Sequence, residues 1–325
     1  MNLRSTYCCP ESGCDHAPLE QDAAGLNCPN GHQFPFEPGT DVPVFASEPE
    51  GANEYAQANA AEVHDNALRW VFATFHADEQ GLRERLVARI GLKKGQRILV
   101  TGAGAGNDLP YLVRALDGAG DIYAQDIAKE MLLAGVARYR TELAGSGVSL
   151  HFSASDASHL PFADGFFDAA YHFGGINLFP DIPQGIAEMN RVVKQGGNVV
   201  IGDEGLAPWL VDTELGRMLV TNNALYARSA PLSALPATAR AAKLSWELSN
   251  CFYVIEFQAS TEELSVDIDV PHVGTRGGTI RSRYFGRMEG VDPVLRDRVY
   301  QEAQKRGMSR VAFLESALRA SLAKD

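Results

Sequence analysis

Residues 97–106 read Arg-Ile-Leu-Val-Thr-Gly-Ala-Gly-Ala-Gly, a short apolar run that leads directly into three alternating glycines. A helical pattern follows over 109–116, with leucine and valine at three- and four-residue spacing. Glycine is required at such a turn because a side chain would keep a ligand away from the backbone amides. Strand, glycine turn and helix together predict the nucleotide-binding corner of a doubly wound α/β sheet.

Further apolar segments follow at regular intervals, and several of them end at a polar residue. The predicted strands after the first are 121–126, 149–153, 167–173 and 198–202. Asp126 lies 24 residues after Gly102, where a carboxylate can accept hydrogen bonds from both ribose hydroxyls. The glycine spacing is GxGxG, which places the third glycine differently from the dinucleotide fingerprint GxGxxG.

Composition and charge narrow the class of protein. The chain has 325 residues, 45% hydrophobic and 22% charged, which is typical of two or three globular domains. Since no stretch has the ~18 apolar residues of a membrane span and residues 1–7 lack a signal-peptide core, we expect a cytoplasmic protein with no membrane partner. A net charge of −12, distributed as −10 over 1–66, −7 over 67–273 and +5 over 274–325, disfavours a nucleic-acid partner.

Residues 95–205 resemble the class I S-adenosylmethionine-dependent methyltransferases, of the methyltransferase type 11 group that includes menaquinone- and ubiquinone-pathway enzymes. The matching motifs, in family order and spacing, are 98–106, Asp126 before Met131-Leu132, Ser155-Asp156-Ala157 before Leu160-Pro-Phe162, Phe166-Phe167-Asp168, and 188–197. The resemblance implies a Rossmann-like sheet of seven strands and S-adenosylmethionine as cofactor. One position departs from the family, which usually has an acid where this chain has Thr101.

Carried over position by position, the resemblance implies a cofactor cradle. The glycines would face the methionine moiety and ribose, Asp126 would hold the ribose hydroxyls, and Asp156 would accept from the adenine amino group. The implied cofactor-binding set is Thr101, Gly102, Ala103, Gly104, Gly106, Asp126, Ile127, Asp156 and Ala157. Turn capping is the alternative role for the two aspartates.

A second group of polar residues lies at the ends of the fourth and fifth predicted strands. A sulfonium methyl group is already electrophilic, so the protein mainly aligns the acceptor and excludes water. A base is needed only if the acceptor must lose a proton. The candidates for that role, or for orienting the acceptor, are His172, Asn177, Asp203 and Glu204.

Four of the five cysteines occur within the first 28 residues. Cys9 and Cys14 form one close pair, and Cys28 and His32 form another, which is the pattern of a tetrahedral zinc site. Free cysteines near a mobile terminus are the alternative. With 33–36 and 41–45, the segment 28–32 resembles the small zinc ribbon found ahead of some bacterial methyltransferases.

One family with such a ribbon methylates a guanine of ribosomal RNA, and its ribbon contacts RNA. Here residues 1–66 carry one basic residue, Arg4, against eleven acidic ones. Because nucleic-acid affinity depends on basic residues that release counterions, we prefer a structural lid or partner-docking module.

The chain after residue 205 is predicted as helices over 209–228 and 236–249, then strands over 251–257 and 264–270 that close the sheet. Residues 279–288 alternate like a strand with Arg281, Arg283 and Arg287 on one face, and two helices follow. This C-terminal strand-helix-helix arrangement resembles the ribbon-helix-helix fold, which pairs two chains. A homodimer through this extension and a helical hairpin docked on the same chain are both open.

Taken together, the sequence predicts three parts: a zinc-ribbon-like module over 1–46, a class I methyltransferase domain over 54–273, and a basic strand-helix-helix extension over 274–325. The predicted activity is methyl transfer from S-adenosylmethionine to a small, partly apolar metabolite. A ribosomal RNA guanine methyltransferase and a catalytically silent cofactor-binding regulator are the alternatives.

Overall fold

The computed structural model describes residues 3–48, 55–275, 277–284 and 292–323 of the chain. It separates into two units, Met1–Leu264 and Ser265–Asp325. Within the described ranges, no helix combines the length and the apolar composition needed to cross a bilayer.

The N-terminal part of the first unit is a small antiparallel sheet. Its strands follow one another in order: β1 (Leu3–Cys8), β2 (Pro18–Gln21), β3 (Gly25–Asn27) and β4 (Gln33–Pro35). Its interior contains Leu19, Leu26 and Phe34 beside cysteine side chains. A core this small supplies little folding free energy without a crosslink or a metal.

Two helices lead into the large sheet. They are α1 (Ala60–Thr74) and α2 (Glu79–Ile90). The Asp78 carboxylate caps α2 by accepting a hydrogen bond from the Gly81 amide at 2.8 Å. The helix ends at Gly91, whose φ of 68° is the left-handed conformation that glycine adopts without strain.

The large sheet has seven strands. They are β5 (Arg97–Thr101), β6 (Gly120–Asp126), β7 (Val148–Ala154), β8 (Phe167–Phe173), β9 (Val193–Glu204), β10 (Arg240–Glu247) and β11 (Phe252–Gln258). Strands β5 to β9 are parallel, whereas β11 is antiparallel to β9 and β10 is antiparallel to β11. The order across the sheet is β10-β11-β9-β8-β5-β6-β7. The expected doubly wound, Rossmann-like sheet is therefore confirmed.

Helices cover both faces of this sheet, which explains why its strands are apolar on both sides. The connecting helices are α3 (Leu109–Ala115), α4 (Lys129–Glu142), α5 (Ile182–Val192) and α6 (Glu214–Asn222). Val100 of β5 joins one core cluster with Leu86 of α2, whereas its neighbour Leu99 joins a second cluster with Ile186 of α5. The carboxyl ends of β5 to β9 consequently meet at one edge, which positions the site described below.

The closing hairpin differs from the sequence prediction. The helix predicted over 236–249 is wrong, because this segment contains β10, in which Trp246 lies opposite Tyr253 of β11. The strand predicted over 264–270 is also wrong, since no described strand includes these residues. Three of the four large apolar side chains of that segment are exposed, and only Ile268 is half-buried: the exposed ones are Leu264, Val266 and Val270. The helix predicted over 209–228 is confirmed only over α6, with short 3-10 turns on either side.

The second unit contains α7 (Ile280–Tyr284), α8 (Pro293–Lys305) and α9 (Arg310–Leu322). The strand predicted over 279–288 is wrong where the structure describes it. Thr279 and Ser282 exchange side-chain-to-amide hydrogen bonds of 2.8 and 3.1 Å, a capping arrangement that favours a helical turn. Arg287 lies outside the described residues. The two following helices are confirmed, with Asp292 and Ser309 as their caps.

Candidate functional site

The glycine loop after β5 has the backbone conformation that its sequence requires. Gly102, Gly104 and Gly106 have φ values of 58°, 53° and 81°, which disfavour any residue with a side chain. A Cβ on Gly102 would lie 2.8 Å from the His172 ring, so substitution there also creates a steric clash. The Ala103 amide donates to the Gln125 carbonyl at 2.9 Å, which joins the loop to the end of β6.

Asp126, the last residue of β6, lies directly beside this loop. Its two carboxylate oxygens accept hydrogen bonds from the Gly104 amide at 2.7 Å and the Ala128 amide at 2.8 Å. Burial, with a smaller contribution from the nearby Glu48 carboxylate, raises the pKa of Asp126 to about 6 against the lowering effect of the amide hydrogen bonds. Each oxygen retains acceptor capacity, so the ionised group can still accept from a pair of ligand hydroxyls.

Asp156 follows β7, at the same edge of the sheet. Its Oδ1 accepts from the Ser158 amide at 2.8 Å, and its Oδ2 lies 3.2 Å from His159 Nδ1. The preceding Ser155 amide donates to the Asp126 carbonyl at 3.1 Å, so the ends of β6 and β7 are joined. Ile127 is half-buried and Ala157 is buried. The structure therefore brings the sequence-predicted ribose and adenine residues to one place, and both aspartates also cap turns.

Thr101, at the position where the family usually has an acid, is the last residue of β5. Its side chain is fully buried, with Oγ1 3.5 Å from Met189 Sδ of α5 and 3.2 Å from His172 Nδ1. The hydroxyl therefore packs into the protein interior, while the Ala103 and Gly104 amides of the adjacent loop are hydrogen-bonded to Gln125 and Asp126.

His172 is also fully buried. Its Nδ1 lies 2.9 Å from the Thr101 carbonyl, which fixes the proton on that nitrogen, and its Nε2 has no hydrogen-bond partner in the described part of the chain. The ring packs edge-on against Phe179 at 5.2 Å. Burial lowers the pKa of His172, although the Asp203 carboxylate opposes this effect, so the imidazole is neutral at physiological pH.

Asn177, Asp203 and Glu204 form a connected group at the carboxyl ends of β8 and β9. Asp203 accepts from the Asn177 amide at 2.7 Å and the Glu204 amide at 2.8 Å, and the Asn177 side chain donates to the Glu204 carbonyl at 2.7 Å. The Tyr253 hydroxyl of β11 donates to Asn177 Oδ1 at 3.3 Å. Burial raises the pKa of Glu204 to about 9, and the adjacent Asp203 carboxylate adds to the shift. A raised pKa favours the protonated form of Glu204, which can donate a hydrogen bond rather than accept a proton.

Tyr253 and Glu48 are two residues of this region that sequence analysis missed. The apolar run over 251–257 predicts a strand, but only pairing across the sheet places Tyr253 opposite Asp203. Glu48 follows residues 41–45, which the sequence alone assigns to the N-terminal ribbon, so its position near Asp126 depends on the fold.

The four predicted metal ligands lie together in the N-terminal sheet. The ligand atoms of Cys9, Cys14, Cys28 and His32 all lie within 4.8 Å of one another. The Cys14 and Cys28 sulfurs are 3.8 Å apart, and His32 Nδ1 is 3.6 Å from Cys9 Sγ and 3.4 Å from Cys14 Sγ. Bond lengths of about 2.3 Å to sulfur and 2.0 Å to nitrogen put tetrahedral edges at about 3.5–3.8 Å, so the donor set fits zinc.

The outer contacts of this group also suit a metal site. The Asn30 amide nitrogens donate to Cys28 Sγ at 3.4 Å and to Cys14 Sγ at 3.2 Å, which stabilises thiolate charge. Two nearby residues of types that bind metals, Cys8 and His16, are not members of this group of four.

Comparison with known proteins identifies the family of the central domain. Residues 99–201 match the sequence model of the family described as "Methyltransferase domain". The demethylmenaquinone methyltransferase of Beutenbergia cavernae is 37% identical over 128 residues, which are 39% of this chain and 48% of that protein. The ubiquinone/menaquinone biosynthesis C-methyltransferase of Ralstonia pickettii is 30% identical over 115 residues, which are 35% of this chain and 46% of that protein.

The chain thus spans about half the length of these curated relatives. Among solved structures, Haemonchus contortus phosphoethanolamine N-methyltransferase 2 with S-adenosyl-L-methionine aligns with a TM-score of 0.48 and 15% identity, over 65% of this chain and 61% of that one. The sequence matches and the seven-stranded sheet agree. Residues 99–201 therefore match a methyltransferase-domain family, and the seven-stranded sheet that contains them agrees with the class I S-adenosylmethionine-dependent methyltransferases that the sequence resembles.

Proposed function

We propose that the protein transfers the methyl group of S-adenosylmethionine to a small, partly apolar molecule. The observation that carries this proposal is the Asp126 carboxylate, which is bonded to the Gly104 amide and lies beside a loop of three positive-φ glycines. That arrangement offers an acceptor for ribose hydroxyls next to backbone amides with no side chain over them.

In this proposal the chain's own residues divide the cofactor between them. Asp126 accepts from the ribose, Ile127 packs against the adenine, and Asp156 and the Ala157 amide recognise its polar edge. Gly102, Ala103, Gly104 and Gly106 present the loop backbone to the methionine end. The bound cofactor supplies an electrophilic methyl group, so catalysis depends on alignment of the acceptor and exclusion of water.

The acceptor would lie near the ends of β8 and β9, and Glu204 is our candidate to orient it. Glu204 is half-buried and its raised pKa favours the protonated form, so it can donate a hydrogen bond to an acceptor oxygen or nitrogen. His172 and Asp203 are fully enclosed, which favours a supporting role for both over direct proton removal. The methylated atom, whether oxygen, nitrogen or carbon, is left open by this assignment.

The segment after β9 supports an acceptor of partly apolar character. Large apolar side chains are exposed on its 3-10 turn and on α6: Trp209, Val211, Leu215 and Met218. Exposed apolar clusters commonly mark ligand or partner surfaces. A net charge of −10 over residues 1–66 disfavours RNA as the acceptor, and we retain ribosomal RNA only as an outcome of the test.

We also propose that the N-terminal module, residues 1–46, binds one zinc ion through Cys9, Cys14, Cys28 and His32. The tetrahedral spacing of the four donors supports this assignment. A site with four protein ligands has no open position for a substrate, so the ion would be structural.

The test compares transfer of labelled methyl groups from the cofactor into total RNA and into a small-molecule extract of the same cells. We expect label in the small-molecule fraction. Label confined to RNA, and lost when heparin competes with RNA for the Lys and Arg side chains, would favour the ribosomal RNA alternative. Cofactor binding without transfer to any fraction would favour a regulator, and tighter binding of a nicotinamide dinucleotide would overturn the cofactor assignment.

A further inference from the structure

Residues 42–48, which include the last residues of the N-terminal module, lie against the edge of the large sheet. The Ala154 amide donates to the Pro43 carbonyl at 3.0 Å, and the Phe45 amide donates back to the Ala154 carbonyl at 2.8 Å. Ala154 is the last residue of β7, so this segment extends the sheet by a short parallel bridge through Val44. The contact lies directly before Asp156.

The same segment continues to the end of β6. The Glu48 amide donates to the Ile127 carbonyl at 3.3 Å. The Glu48 carboxylate is close enough to Asp126 to act on its charge. Residues 42–48 therefore border the ends of both strands that carry the proposed ribose and adenine contacts.

Aromatic packing connects this segment to the metal-ligand group. The ring of Phe34, which is buried with the ligand cysteines, lies 4.9 Å from the ring of Phe45. Tyr7 packs against Phe45 and against Phe162 of the large domain, at 5.3 Å in each case. Phe34 thus packs against both the cysteine cluster and Phe45, so it connects the two by direct contact.

Charged side chains hold the module to α4, the helix that begins just after Asp126. Lys129 lies 3.0 Å from Glu37, and Arg140 lies 2.6 Å from Asp41. The Cys8 amide adds a backbone hydrogen bond of 2.8 Å to the Pro161 carbonyl. The module therefore docks on the large domain at several points around the ends of β6 and β7.

We propose that residues 42–48 form a wall of the adenosine end of the cofactor site, and that metal binding by Cys9, Cys14, Cys28 and His32 sets the affinity for S-adenosylmethionine by holding this wall in place. The inference rests on the proposed function. A module with so small a core depends on its metal for folding, so loss of the ion releases Phe34 and then Phe45. The adenosine end of the site would then open to water.

A module that forms a wall of the cofactor site differs from one that is only structural in what metal removal changes. If the metal stabilised only the module, its removal would lower stability while cofactor affinity persisted. If the module is a wall of the site, the two properties change together.

The test measures S-adenosylmethionine affinity by calorimetry for the full chain, zinc-loaded, chelator-treated, and chelator-treated with zinc restored. We expect the dissociation constant to rise at least tenfold on metal removal and to recover on addition of Zn²⁺. Circular dichroism verifies that the large domain stays folded. An unchanged dissociation constant after metal loss would overturn the inference alone, whereas zinc-loaded protein that binds no S-adenosylmethionine would overturn the proposed function.

A pair of variants tests the proposed wall with the metal in place. This comparison decides whether residues 42–48 contribute to cofactor affinity even if chelation unfolds the whole chain. Phe45→Ala keeps all four ligands and removes the contacts to Phe34 and Tyr7. Phe166→Ala is the matched control, since Phe166 is also half-buried in an aromatic cluster but packs under Arg97 at the amino end of β5. We expect weaker cofactor binding only for Phe45→Ala, at full zinc content. Equal affinities in the two variants would refute the wall.

Discussion

Substitution of Asp126 is the most direct perturbation of the proposed cofactor site. Asp126→Ala removes the group that would accept both ribose hydroxyls. Hydrogen bonds to a charged group contribute about 1.5–3 kcal/mol, so the dissociation constant of S-adenosylmethionine should rise roughly 10- to 150-fold. The Gly104 and Ala128 amides also lose their acceptor, which adds loss of loop order to the lost contacts.

The pH dependence of binding provides an independent measure of the same group. Because the pKa of Asp126 is raised to about 6, its carboxyl group is largely ionised at pH 7.5 and only about one-tenth ionised at pH 5. The protonated form loses acceptor capacity. Wild-type affinity should therefore fall about tenfold from pH 7.5 to pH 5, and Asp126→Ala should lack this dependence.

Calorimetric titration with S-adenosylmethionine at several pH values measures both effects. Asp121→Ala is the matched control, since Asp121 lies near the amino end of the same strand, paired with His151 at 3.2 Å. We expect that variant to bind like the wild type. Wild-type affinity in Asp126→Ala, or a wild-type dissociation constant that is constant over this pH range, would refute the assignment of Asp126 to the ribose.

Three further variants test stability and metal binding. Arg191→Met removes the guanidinium that lies 2.6 Å from the buried Glu188 carboxylate and leaves that charge only the Leu160 amide as a partner, so we expect the free energy of unfolding in urea to fall by about 3–5 kcal/mol, and an unchanged midpoint would contradict this. Glu204→Gln cannot ionise; because the wild-type pKa is raised to about 9, wild-type stability should decline relative to the variant as pH rises from 5 to 9, and parallel melting curves would count against it. Cys28→Ser should reduce zinc per chain in elemental analysis and lower the melting temperature, whereas Glu11→Gln, an exposed charge change in the same module, should alter neither.

Features that depend on neighbouring residues could be predicted from the sequence. The glycines after β5 require positive φ wherever the strand turns into the helix, so Gly102, Gly104 and Gly106 indicated the loop without any tertiary information. The spacing of Cys9, Cys14, Cys28 and His32 likewise indicated a group of ligands, and the structure brings these four together. The parallel strands were recognisable because burial on both faces demands continuous apolar runs.

Features that depend on a partner distant in the chain could not be predicted from the sequence. Residues 240–247 have no decisive period, and they form a strand because β11 offers an edge on which to pair. The alternating residues 264–270 form no strand, and no described strand pairs with them. A local pattern states which conformations a segment tolerates, whereas the choice among them follows from the hydrogen-bonding partner that the fold provides.

The sequence by itself determined the domain family and the identity of the proposed ligand-binding residues, because both reside in short motifs with fixed spacing. Only the tertiary structure decided that the Thr101 hydroxyl points inward to Met189, that the protonated form of Glu204 is favoured beside Asp203, and that Phe45 reaches Ala154. These outcomes depend on burial and on contacts between residues far apart in the chain. Such contacts set side-chain direction and pKa, and no local spacing encodes them.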